Sequence, residues 1–119
     1  MQQLTHLDWP FFDHGHRDFA TRFRAWAADE LRRFEGDEGN DGKAARTIFE
    51  LLGAGDWLSD TTTLSGSGVQ KIDLRRVCIM REVLGYGSAI ADVAFSEPWL
   101  GALPLVFFEI GRASCRERV

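Results

Sequence analysis

The sequence predicts an all-α fold, a partial helical bundle of about four helices joined by glycine-containing loops. Three observations lead there. Apolar residues recur at three- and four-residue spacing in separate segments. Acidic capping residues and glycines punctuate those segments. No stretch shows the strict apolar/polar alternation of a half-buried strand.

The first segment, "LDWPFFDHGHRDFATRFRAWAADELRRFE", opens with Asp8 as the expected N-cap and Pro10 in the first turn, where its missing N–H costs nothing. Phe12, Phe19, Phe23, Trp26 and Phe34 fall near one face, and arginines with Asp29 occupy much of the remainder, so a long amphipathic helix is predicted. "GDEGNDG" follows as a solvated loop. "KAARTIFELLGAGDWL" then carries Ala45, Ile48, Phe49 and Leu52 at helical spacing. It stops at Gly53 and Gly55, which suit a left-handed terminus, and Trp57 and Leu58 are expected to fold back onto the core.

"SDTTTLSGSGVQK" reads as a second loop, rich in hydroxyls and glycine. Asp73 caps "LRRVCIMREVLGYG", whose Leu74, Val77, Cys78, Arg81 and Leu84 spread over a partly buried face before Gly85 and Gly87 end the helix. The last segment, "SAIADVAFSEPWLGALPLVFF", is apolar except for Asp92, Ser96 and Glu97, so it is expected to lie inside an assembly. Pro98 and Pro104 should kink or break it.

At 119 residues the chain suits one small domain. Its net charge is −4, and three arginines of that balance sit in the last ten residues, so the body is more acidic still. Nucleic acid is not an expected partner, because phosphate contacts need clustered Lys and Arg. The N-terminal "MQQLTHLDWPFF" lacks a basic stretch followed by an apolar run, and no segment has the length and apolarity of a membrane span. A cytoplasmic setting is expected.

Catalytic constellations are not evident. His6, His14 and His16 complete no ligand set at a recognisable spacing and read as solvent-facing, so no metal is expected. Cys78 reads as a buried, inert thiol, since no histidine stands near it in sequence. The run "SGSG" lacks the Lys-Ser/Thr of a phosphate-binding loop. The apolar final helix with isolated polar residues is instead what lines a pocket for a long apolar ligand.

The order of these segments resembles the N-terminal helical domain of the acyl-CoA dehydrogenase family, over Leu7 to Leu105. The resemblance rests on Glu82 to Leu84, the break at Tyr86-Gly87, the apolar helix Ala89 to Phe95, and Leu100-Gly101-Ala102-Leu103-Pro104. "FSEP" is not assigned to the family's flavin-binding Thr/Ser-Glu-Pro motif, because it precedes the Leu-Gly-x-x-Pro element. Pro98 departs from the family pattern.

The resemblance implies an FAD-dependent parent enzyme that oxidises acyl-CoA to 2,3-enoyl-CoA, hands electrons to an electron-transfer flavoprotein and forms homo-oligomers. It places the catalytic base and the flavin outside this chain, leaving residues 1–109 as a truncated helical domain that is inactive alone. By position, Asp92, Val93, Ser96 and Leu100 would form one wall of the acyl pocket. The alternative is a stand-alone helical interaction or lipid-binding module. From the end of Glu109 onward the chain back-translates to a common sequencing-adapter strand, so Ile110 to Val119 are read as adapter read-through rather than native sequence.

Overall fold

The computed structural model of the protein describes residues 3–34, 41–58 and 73–108. Among these residues four α-helices follow one another: α1 (His14–Glu30), α2 (Asp41–Ala54), α3 (Leu74–Gly87) and α4 (Ala89–Phe108). Short 3-10 turns at Thr5–Asp8 and Leu31–Phe34 flank α1. No strand occurs among the described residues, as the all-α reading requires. The loop "SDTTTLSGSGVQK", most of "GDEGNDG" and the tail from Ile110 lie outside the described residues.

The N-cap of α1 is Asp13, not Asp8. Asp8 falls in the preceding 3-10 turn, while the Asp13 carboxylate accepts the N–H of His16 at 3.0 Å. A helix starts where a side chain can take its orphan N–H groups. Asp13 sits three residues before His16, at the spacing that makes this bond. Upstream, Arg17 donates to the carbonyls of Leu7 and Phe12 at 2.9 and 3.1 Å, folding the "HLDWPFF" segment over the start of the helix.

The end of α2 also differs in detail. Asp56, not a glycine, takes the left-handed conformation (φ 61°). The Trp57 N–H bonds the Leu52 carbonyl, and the Asp56 N–H bonds that of Gly53. This is the paired capping geometry in which the first residue past the cap turns left-handed, and aspartate tolerates that better than most side chains. Gly55 is needed for space, since a Cβ there would lie 2.6 Å from the Trp57 indole.

Trp57 and Leu58 do fold back. Trp57 sits edge-on to Phe19 and Phe23 at 5.8 and 5.0 Å and lies 5.7 Å from Trp26, so the aromatic face of α1 is capped by the end of α2. Phe23, Ile48, Leu52, Ile79, Met80, Leu84 and Phe95 are fully buried, each contributing about 1.5–3 kcal/mol of apolar burial.

The buried side of α3 is wider than predicted and rotated from it. Val77, Ile79, Met80, Val83 and Leu84 are enclosed, while Leu74, Cys78 and Arg81 are exposed. The cause is that α3 packs against both α1 and α4, so two adjoining faces are covered and Cys78 falls on the remaining one.

In α4 the helix continues through both Pro98 and Pro104, where a kink or a break was expected. Each proline removes one helical N–H, leaving the carbonyls of Ala94 and Leu100 without that partner. Both prolines occupy exposed positions.

Candidate functional site

Asp92, Val93, Ser96 and Leu100 occupy roughly 100° of arc on α4, given the angular step per residue of an α-helix. That arc straddles the border between the packed and the open side of the helix. Ala91, Ala94 and Phe95 are buried on the packed side, against α2 and α3. Val93 and Leu100, seven residues apart, are 43% and 55% exposed, on a side shared with Ala89, Glu97, Gly101 and Pro104. Ser96 is buried. Two of the four residues are thus presented together outward, and two are taken up by the fold.

Asp92 has a defined partner. Arg81 of α3 grips both carboxylate oxygens, Nε to Oδ1 at 2.9 Å and Nη2 to Oδ2 at 2.8 Å. The hydrogen bond and charge of Asp92 hold the Arg81 pKa above the ordinary arginine value. Because Ser88 alone separates α3 from α4, this fork clamps the two helices just beyond their turn. Asp92 is engaged inside the chain rather than offered to a ligand.

The most polar junction lies elsewhere, between the starts of α1 and α3. His16 is 3% exposed, contrary to the expectation of a solvent-facing ring. Its Nε2 meets Asp73 Oδ2 at 2.9 Å, and the Asp13 N–H points at Nδ1 at 3.3 Å. The same Nδ1 lies 2.9 Å from Asp13 Oδ1, so the ring stands between two carboxylates. Asp73 is itself the N-cap of α3, accepting the N–H groups of Arg75 and Arg76 at 3.1 and 3.4 Å. One imidazole therefore bridges the caps of two helices.

The hydrogen bond from the His16 backbone holds the Asp13 carboxyl below its ordinary value. At Asp73 partial burial pushes the other way. The hydrogen bonds from His16 and the Arg76 backbone outweigh it, and the pKa is lowered. Arg75 reaches across to the Phe11 carbonyl at 3.0 Å and stands over the Phe11 ring, and Arg76 lies over Phe19. His6 meets Glu82 at 3.0 Å. No nucleophilic side chain is hydrogen-bonded to this imidazole among the described residues. What the arrangement can do is orient helices.

Sequence reasoning missed His16, although a signal was present. Asp13 and His16 stand in the spacing of a reciprocal capping box, with histidine in the place of the usual Glu or Gln. The partner Asp73, 57 residues away, could not be read from spacing.

A groove of about 710 Å³ lies between the second half of α1 and the end of α3. Ala27, Leu31 and Val83 are its buried lining, and Arg24, Arg32 and Tyr86 also face it. None of the four residues predicted for the acyl pocket borders it. No helix among the described residues is long and apolar enough to cross a membrane.

No protein-family model matches the chain, and no curated protein or solved structure matches it.

Proposed function

We propose that the chain is the N-terminal helical part of an FAD-dependent acyl-CoA dehydrogenase, contributing one wall of the acyl pocket to a cytoplasmic enzyme. The observation that carries this reading is the divided environment of α4. Its inner side is packed against α2 and α3, while Val93 and Leu100 stand open on the outer one. An open side that presents two apolar residues on a helix otherwise fixed in place is what a further layer, or an acyl chain, would cover. On this reading Val93 and Leu100 touch the acyl chain, and Asp92 and Ser96 hold the wall in position.

The described residues do not fit the flavin. The groove between α1 and α3 is walled by helices, alanines and two guanidinium groups, and no glycine-rich strand-to-helix turn that would cradle a pyrophosphate occurs among the described residues. The cofactor, the catalytic base and the electron-transfer flavoprotein contact belong, on this proposal, to other parts of the enzyme.

The test is to follow the reading frame through uninterrupted genomic DNA beyond Leu105. A continuing frame that encodes a β-rich flavin-binding domain is the expected result. A stop codon close to Phe108 would overturn the proposal in favour of a stand-alone interaction or lipid-binding module.

A further inference from the structure

We propose that the carboxylates of Asp13 and Asp73 hold His16 as a doubly protonated imidazolium, and that loss of one of its protons to solvent weakens the junction of α1 with α3. The inference concerns this junction rather than α4 and stands whether or not the enzyme reading holds.

The distances argue for the charged ring. Nε2 lies 2.9 Å from Asp73 Oδ2 and Nδ1 lies 2.9 Å from Asp13 Oδ1, so each ring nitrogen faces an oxygen at the separation of a charge-assisted hydrogen bond. An ionised carboxylate only accepts, and a neutral imidazole has one N–H. In either neutral tautomer one nitrogen would therefore turn a lone pair toward a carboxylate oxygen 2.9 Å away. The neutral form that donates from Nε2 does gain the Asp13 N–H at Nδ1, but that contact is 3.3 Å long, and the repelling carboxylate oxygen is closer. The imidazolium donates to both oxygens and gives up only the longer amide contact.

Other charges nearby act in both directions. Burial disfavours a charged ring, and His16 is enclosed. Arg75 and Arg76 also oppose it, their Nε atoms lying 3.7 Å from Asp73 Oδ1 and 3.9 Å from Asp73 Oδ2. Arg75 additionally donates to the Phe11 carbonyl, Arg76 stands over the Phe19 ring, and Arg17 of α1 donates to the carbonyls of Leu7 and Phe12. On the side of the Thr5–Asp8 turn the Phe12 ring lies edge-on to His16 and to His6, and His6 pairs with Glu82 of α3. Two carboxylates in direct contact with the ring outweigh guanidiniums that meet it through Asp73, because Coulomb attraction falls with distance.

The pH dependence has a sign. Folding places the charged ring between two carboxylates that the unfolded chain does not hold there, so this part of the stability is present while the ring is charged and is lost as pH rises and the proton leaves.

The experiment records the ring nitrogen and carbon resonances of the whole labelled chain from about pH 5 to about pH 9. His14, exposed on the same helix, is the internal reference. His16 should show N–H at both ring nitrogens where His14 is half protonated, and should release its proton at about tenfold lower proton concentration, the effect of one charge-assisted pair. D13N and D73N should each remove most of that gap while still capping their helices, since asparagine is as good an N-cap as aspartate. H16Q, which can still complete the capping box but cannot charge, should abolish the fall in melting temperature that accompanies the ring's titration.

A His16 ring that carries its proton on Nε2 alone where His14 is half protonated would overturn the proposal. So would a His16 titration that coincides with that of His14, or one that D13N and D73N leave in place. The ring spectra of the unaltered chain decide the matter even if a variant fails to fold.

Discussion

The junction of α1 with α3 and the contact of α4 with its neighbours are built from different interactions. At the first, His16 joins two helix caps, Arg17 and Arg75 tie down the preceding segment through carbonyls, and each bond has a direction. Around α4 the enclosed residues are mainly apolar, Ala91, Ala94 and Phe95 among them, with the Arg81–Asp92 fork near its start, and one side of the helix is left open. Directional bonds dictate how two helices meet, because a misplaced buried donor or acceptor goes unpaired. Apolar burial fills space and is indifferent to the side left over. The polar junction therefore suits a fixed frame, and the open side of α4 suits contact with something else.

Four measurements would break or sharpen that contrast. The largest effect is expected from H16A, which strips Asp73 of a buried partner and leaves a gap between two caps. A loss of about 3 kcal/mol in denaturant unfolding is expected, and a loss under about 0.5 kcal/mol would show the bridge to be ornamental.

Next comes G55A, which drives a methyl group into Trp57 and so tests the seal over the aromatic face of α1. It should cost about 1–3 kcal/mol and alter tryptophan emission, since Trp26 and Trp57 lie close together.

Acid should act on the polar junction. The folded pKa values of Asp13 and Asp73 lie below the ordinary 3.8, so their stabilisation is present above that value and is lost as pH falls through the lower folded values. Melting temperatures recorded at decreasing pH should drop in the wild type, and D73N should flatten that drop. An unchanged slope in D73N would place the acid sensitivity elsewhere.

The smallest effect belongs to the open side of α4. L100E should change the stability of this chain by no more than about 0.5 kcal/mol, as for an ordinary surface position. A cost of several kcal/mol would show that this side is already covered, and the distinction between the two regions would collapse.

Much of this architecture could be read from local pattern. Asp73 caps α3 as its position before an apolar run suggests, and Ile48 and Leu52 are buried at the predicted spacing. The outward placement of Val93 and Leu100 follows from α4 being apolar on all sides, since three other helices of this size cannot cover it. What could not be read depends on contacts distant in sequence. Cys78 is exposed and Ile79 buried because α3 has two neighbours, a fact that periodicity along one helix does not contain. His16 is buried because a carboxylate 57 residues later comes to meet it. The row of small side chains beside Arg24 and Arg32 becomes a groove only when the end of α3 supplies its far wall.

The fork between Arg81 and Asp92 has a consequence for the order of assembly. Its two residues are 11 apart, and the helices that carry them are joined through one residue, so closing this pair costs little chain entropy. Pairing of α1 with α3 must close a much longer segment, from His16 to Asp73. The α3–α4 hairpin is accordingly the pairing of helices in this fold that costs little loop entropy to form, while the docking of the aromatic helix costs more.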